Sequence, residues 1–132
     1  MSRSRARRPL AGTLVYTALL VVLLVMPTGA RHQRRGYLQE YNLTLNRRLV
    51  TDVALNLVLF VPLGWGVCRT GRAFGVAPAT MVTLAGSIVL GFSLIMEGVQ
   101  LFMPRRYSSL VDVIADTAGG LLGASLESRR PR

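Results

Sequence analysis

The sequence contains no lysine, one cysteine and one histidine, and each scarcity excludes a class of chemistry. A single cysteine, Cys68, excludes an intramolecular disulfide. A single histidine, His32, excludes a histidine-rich metal site, so neither a metal nor a cofactor is expected. Acidic residues are also few, because Asp and Glu number 6 against 16 basic residues, all of them arginine. The resulting net charge of +10 makes nucleic acid the first partner to consider.

The placement of the arginines argues against that partner. A soluble nucleic-acid-binding module carries its basic residues along one face, with aromatic side chains interleaved for stacking on bases. Aromatic residues make up only 7% of this sequence, and its arginines lie between and outside long apolar runs. Loops of membrane proteins have this arrangement, and no nucleic acid is expected as a partner.

The apolar runs predict an all-α integral membrane bundle of four transmembrane helices with short loops. Apolar residues make up 51% of the chain and its mean hydropathy is +0.41, whereas a soluble fold of this length buries only about two-thirds of its unfolded surface. The predicted spans are residues 10–26, 49–68, 76–102 and 110–126. We therefore divide the chain into a basic N-terminal segment (1–9), a four-helix domain (10–126) and a basic tail (127–132).

The N-terminal region admits two interpretations. Four arginines, an apolar stretch and then Thr28, Gly29 and Ala30 also resemble a secretory signal with a cleavage site. The apolar stretch is long for such a signal, which favours an uncleaved first span in a multi-pass membrane protein. With four spans, nine arginines fall on the N-terminal side of the membrane and seven on the other, which weakly favours a cytoplasmic N-terminus.

Polar side chains within the predicted spans cluster near three helix ends that share one face of the membrane. Within each helix these residues are three or four positions apart, so they project in one direction. A carboxylate facing lipid costs at least about 2.5 to 3.5 kcal/mol at mid-depth, which predicts that they turn inward to a shared pocket. The predicted ligand-binding residues are Asp52, Asn56, Glu97, Gln100, Asp112 and Asp116, with Arg105 and Arg106 from the third loop. Four acids and two arginines leave a formal charge of −2, so we expect a protonated acid or a bound ion.

Three motifs in order resemble the VanZ-like membrane protein family. They are Asn-x-x-x-Phe-x-Pro-x-Gly in the second span, Glu-x-x-Gln with a following arginine in the third, and an aspartate before a glycine-rich helix in the fourth. The resemblance covers roughly residues 10–126, and the matched positions are Asn56, Phe60, Pro62, Gly64, Glu97, Gln100, Arg106 and Asp112. Asp116 departs from the family pattern, in which an asparagine is expected, and adds a charge to the pocket.

The resemblance implies a small multi-span protein of the bacterial cell envelope, in a family named for a member linked to teicoplanin resistance. We expect a non-enzymatic protein whose arginine and carboxylate pocket binds an anionic lipid or a lipid-linked cell-wall precursor, with an influence on glycopeptide susceptibility. The alternative is an intramembrane hydrolase or transferase acting on a lipid phosphate through Glu97, Asp112 and Asp116. A third hypothesis is partner binding, with oligomers formed through small-residue helix faces such as that of Ala115, Gly119 and Gly123.

Overall fold

The computed structural model describes residues 3–26, 47–103 and 109–130. These ranges hold four α-helices and no strand, which confirms the all-α prediction. The helices are α1 (Arg3–Val25), α2 (Arg47–Ala73), α3 (Pro78–Leu101) and α4 (Leu110–Ser128). Successive helices run in opposite directions, so the ends of α1 and α3 meet the starts of α2 and α4 at one end of the bundle, hereafter the cavity end. The other end carries Arg7, Arg8, Arg69, Arg72, Arg129 and Arg130 and is called the basic end.

Local sequence explains where the helices begin. Between α2 and α3 the chain turns at Gly75, whose φ of 84° lies in the left-handed region that favours glycine. Pro78 opens α3, where its missing N–H removes no helical hydrogen bond. Ser109 precedes α4, and its hydroxyl accepts a hydrogen bond from the Val111 N–H at 3.2 Å, which caps the helix.

Three helices are long and apolar enough to cross a membrane. The candidate spans are Ala6–Val25, Val50–Ala73 and Thr80–Leu101. The fourth predicted span is not among them, because the 19 residues of α4 include three carboxylates, those of Asp112, Asp116 and Glu127. By length and composition, three of the four predicted spans are thus candidate membrane spans and α4 is not.

Helix bounds also differ from the predicted spans at the basic end. α1 begins at Arg3, so most of the predicted N-terminal segment is helical, and Pro9 lies inside that helix. α2 continues to Ala73 and includes Arg69 and Arg72, which were placed in a loop. Both helices therefore extend beyond their apolar stretches, because arginine is a good helix former.

Glycines set the closest approach in the bundle, between α2 and α4. A Cβ atom on Gly123 would overlap the carbonyl oxygen of Val61, and one on Gly119 would overlap that of Leu57. From the other side, a Cβ on Gly64 would overlap the backbone of Gly120. The small-residue face predicted on α4 thus packs on α2 of the same chain, while oligomer formation stays a prediction.

A core of large side chains lies beside this contact. Phe60 is fully buried and packs against Leu20, Leu63 and Val89. Its ring centroid lies 6.0 Å from that of Phe92. On the outside of α1, by contrast, Leu14, Val15 and Leu19 are each about 60% exposed. Apolar side chains facing outward are favourable in lipid and unfavourable in water.

Candidate functional site

A polar cavity of about 70 Å³ lies at the cavity end of the bundle. Its lining consists of Leu24, Asn56, Met96, Glu97, Gln100, Asp112 and Asp116. Helices α2, α3 and α4 thus bring five of the eight predicted ligand-binding residues to one cavity. Since a water molecule occupies about 30 Å³ in the liquid, the cavity holds a few waters or a small polar group, and no acyl chain.

Asp116 is the most enclosed carboxylate of the cavity. Its Oδ2 accepts a hydrogen bond of 2.6 Å from the Ser93 hydroxyl, and both residues are buried. Its Oδ1 is also buried, and within the described ranges that atom has no hydrogen-bond partner. Buried polar atoms are rarely left without a partner, so the cavity presents an acceptor to any occupant that donates a hydrogen bond.

Glu97 and Gln100 join the helices around the cavity. The Glu97 Oε2 accepts a hydrogen bond of 2.7 Å from the backbone N–H of Ser109, which ties the start of α4 to the last turns of α3. The Gln100 Nε2 donates to the carbonyl oxygen of Leu24 at 3.4 Å, near the end of α1. Both side chains are buried, so each combines a structural contact with a place in the cavity wall.

Of the remaining predicted ligand-binding residues, two line the cavity, one does not, and two lie outside the described residues. Asp112 is partly buried in the cavity wall, one turn before Asp116. Asp52 is exposed, as are the two residues before it, and it does not line the cavity, whereas Asn56, one turn further along α2, does. Arg105 and Arg106 lie outside the described residues.

The described lining is acidic, with three carboxylates, two amides and no basic side chain. Three carboxylates around so small a space repel one another unless a proton, a cation or a nearby arginine offsets their charge. No group of three or more His, Cys, Asp or Glu side chains in the described ranges has an arrangement that would hold a metal ion. The carboxylates of the lining can accept hydrogen bonds from an occupant, and its amides can donate them.

Sequence reasoning missed two residues that shape this site. Ser93 and Ser109 are ordinary small polar residues in the sequence, yet each hydrogen-bonds a cavity carboxylate. A signal for Ser109 was present, because a serine directly before an apolar helix is typical of an N-cap. Ser93 lies one turn before Glu97 on α3, but its contact with α4 depends on how the two helices pack.

Comparison with known proteins agrees with the motifs. The family model VanZ/LLP1 matches residues 13–128, which include all but the first turns of the bundle. No match is found to a curated protein or to a solved structure. The matched region contains every cavity residue, and it carries the Asn, Glu and Asp motifs in the expected order. The chain belongs to the VanZ/LLP1 family and is a VanZ-like membrane protein.

Proposed function

We propose that this protein is a non-enzymatic, multi-pass protein of the bacterial plasma membrane whose cavity binds the headgroup of an anionic lipid or lipid-linked cell-wall precursor. The observation that carries the proposal is the buried Asp116 Oδ1, an unused acceptor in a polar cavity. Gln100 is one residue from the end of α3, and Glu97 is four residues, or about 6 Å, from that end at 1.5 Å rise per residue. That is the depth at which lipid headgroups meet the ends of spanning helices.

The acidic lining requires a source of positive charge before it accommodates a phosphate. Arg105 and Arg106 fill that role in the proposal, since a guanidinium forks a phosphate with two parallel hydrogen bonds. They lie in sequence between Met103 and Ser109, and Glu97 holds Ser109 at the cavity. The cavity then receives the hydroxyl-bearing tip of the headgroup, and the acyl chains stay on the apolar outer faces of the bundle.

The proposal places α4 in the bilayer with the other helices. Its length of 19 residues is within the range that crosses a hydrocarbon core. Each of its three acids has a place inside the protein: Asp112 and Asp116 line the cavity, and Glu127 pairs with Arg72. Carboxylates that face the bundle interior are compatible with a spanning helix.

Retention of anionic lipid by the purified protein tests this function. We expect wild-type protein, extracted gently and measured by native mass spectrometry, to retain one more anionic lipid per chain than Arg106→Ala, whose cavity binds the headgroup about tenfold less tightly. The reason is that a hydrogen bond to a charged group contributes about 1.5 kcal/mol or more. The control is Arg7→Ala, which removes the same charge from an exposed position at the other end. Equal lipid retention in all three proteins would contradict the proposal.

The same variants distinguish a role in the presentation of cell-wall precursors from lipid binding alone. Such a role predicts that Arg106→Ala changes the susceptibility of an expressing host to teicoplanin, whereas Arg7→Ala does not. One observation favours the hydrolase or transferase alternative, since Glu97, Asp112 and Asp116 line one cavity. Release of phosphate from the bound lipid, lost in Glu97→Gln, would establish that alternative and overturn a non-enzymatic function.

A further inference from the structure

A second concave surface lies between α1 and α2 toward the basic end, far from the polar cavity. It is a groove of about 470 Å³, lined by Arg8, Pro9, Gly12, Thr13, Tyr16, Pro62, Trp65, Gly66 and Arg69. None of these residues belongs to the site described above. The groove is more than six times as large as the polar cavity of about 70 Å³.

The floor of the groove presents mainly carbon atoms, because its hydroxyls are already used. Thr13 Oγ1 donates to the carbonyl oxygen of Pro9 at 2.9 Å, and the Tyr16 hydroxyl donates to that of Leu59 at 2.6 Å. Pro62 has no N–H to offer. A Cβ atom on Gly12 would meet no atom within 4 Å, so the groove is open above that residue. An apolar floor of this kind suits a hydrocarbon chain.

The mouth of the groove carries two exposed guanidinium groups, those of Arg8 and Arg69. The Arg69 Cζ lies 4.9 Å from the centroid of the Trp65 ring, which positions that side chain beside the groove. Glu127 is the described acid at this end, and its ion pairs are with Arg72 and Arg130. Within the described ranges, neither Arg8 nor Arg69 forms an ion pair with a carboxylate. The mouth is therefore complementary to an anion.

The dimensions match one leaflet of a bilayer. From Arg8 to Tyr16 the groove follows α1 for eight residues, or about 12 Å. Half of a hydrocarbon core about 30 Å thick is about 15 Å, so a groove that starts at arginines of headgroup depth reaches most of the way to the midplane. Trp65, near the mouth, is of a residue type enriched at membrane interfaces.

We infer that this groove is a binding site for an anionic phospholipid of the leaflet at the basic end. The phosphate lies between Arg8 and Arg69, and one acyl chain lies over Gly12 toward Tyr16 and Pro62. The site is independent of the proposed function of the cavity, since the two share no residue.

Lipid selectivity in native mass spectrometry tests the headgroup half of the inference. To remove the contribution of the proposed cavity site, purified protein carrying Arg106→Ala is offered phosphatidylglycerol or phosphatidylcholine in detergent. Adding the double substitution Arg8→Gln/Arg69→Gln to it is expected to weaken the binding of phosphatidylglycerol about 25-fold. The factor follows from about fivefold for each arginine near an anionic headgroup. Arg7→Gln/Arg129→Gln is the matched control, because it removes two charges from exposed positions at the same end that do not line the groove. An equal loss in both double variants, or no loss in either, would overturn the inference.

A space-filling substitution tests the acyl-chain half. Gly12 lines the groove and a Cβ there meets no atom within 4 Å, so Gly12→Leu is expected to place its side chain in the groove. The matched control is Gly91→Leu on α3, where a Cβ also meets no atom within 4 Å but which does not line the groove. With phosphatidylglycerol carrying a photoreactive acyl chain, wild type and Gly91→Leu are expected to form adducts on residues 8–16 and 62–69. Gly12→Leu is expected to lose at least 80% of them. If the adducts persist in Gly12→Leu, the arginines attract the lipid but its acyl chain does not lie in the groove, which would contradict the proposed site.

Discussion

Adding a single methyl group at Gly123 is expected to lower the free energy of unfolding by about 3 kcal/mol, even though alanine favours helix. The new Cβ would overlap the Val61 carbonyl oxygen and lie 2.9 Å from the Trp65 nitrogen. Both are backbone atoms in the middle of α2, so neither moves aside by a change of rotamer. The two helices must separate, and their shared core opens along its length. A loss of this size is a large fraction of the roughly 5–15 kcal/mol that holds a domain together.

The matched control, Gly91→Ala, is not expected to lower the free energy of unfolding. At Gly91 of α3 a Cβ meets no atom within 4 Å, so Gly91→Ala is expected to leave stability unchanged or raise it by about 0.5 kcal/mol. Unfolding in mixed detergent micelles, followed by circular dichroism, measures both variants. If Gly123→Ala were as stable as Gly91→Ala, α2 and α4 would not be in the close contact described here.

Removing the Arg72 side chain is expected to cost about 3 kcal/mol, the second large effect. Arg72 donates to the carbonyl oxygens of Glu127 at 2.6 Å and Arg130 at 3.1 Å, at the end of α4. It also lies 3.4 Å from the Glu127 carboxylate, whose side chain is only 6% exposed. Arg72→Met therefore leaves a buried carboxylate whose nearest cation is the largely exposed Arg130, and it removes a cation from the negative end of a helix dipole.

Substituting Glu127 is expected to cost less free energy of unfolding than substituting its partner Arg72. Glu127→Leu should cost only about 1 kcal/mol, because Arg72 keeps its hydrogen bonds to the two carbonyl oxygens. The double variant Arg72→Met/Glu127→Leu should be more stable than Arg72→Met alone, since no buried charge is left unpaired. A double-mutant cycle in mixed micelles measures these terms, with Arg7→Met as the exposed control. A loss in Arg72→Met no greater than in Arg7→Met would contradict this account.

The fold and the cavity follow from the sequence to different extents. Long apolar runs predicted four helices, and spacing of three or four residues brought Glu97, Gln100 and Asp116 to one place, because helical periodicity fixes the direction of a side chain. Periodicity does not indicate which turns of a helix pack against neighbouring helices and which are exposed. Asp52 shares a helix face with Asn56, yet it lies one turn beyond the packed region and is exposed.

Features that form between helices could not be predicted from the sequence. The Ser93 hydrogen bond to Asp116 and the groove beside Gly12 depend on the separation and rotation of packed helices, which no local pattern records. The glycines of α4 were recognisable as packing residues, but not their contact with α2. The helix α4 is not a candidate span by composition, because its three carboxylates lower its apolar character wherever they lie in the fold.

Photocrosslinking with a headgroup-labelled lipid tests the central claim, that the polar cavity binds a lipid headgroup. The purified protein is reconstituted in vesicles that contain an anionic phospholipid with a diazirine in its headgroup, irradiated, and digested for mass spectrometry. The account predicts adducts on the cavity carboxylates of Glu97, Asp112 and Asp116, reduced about tenfold in Arg106→Ala and retained in Arg7→Ala. Adducts absent from these residues, or unchanged in Arg106→Ala, would contradict a headgroup site in the cavity.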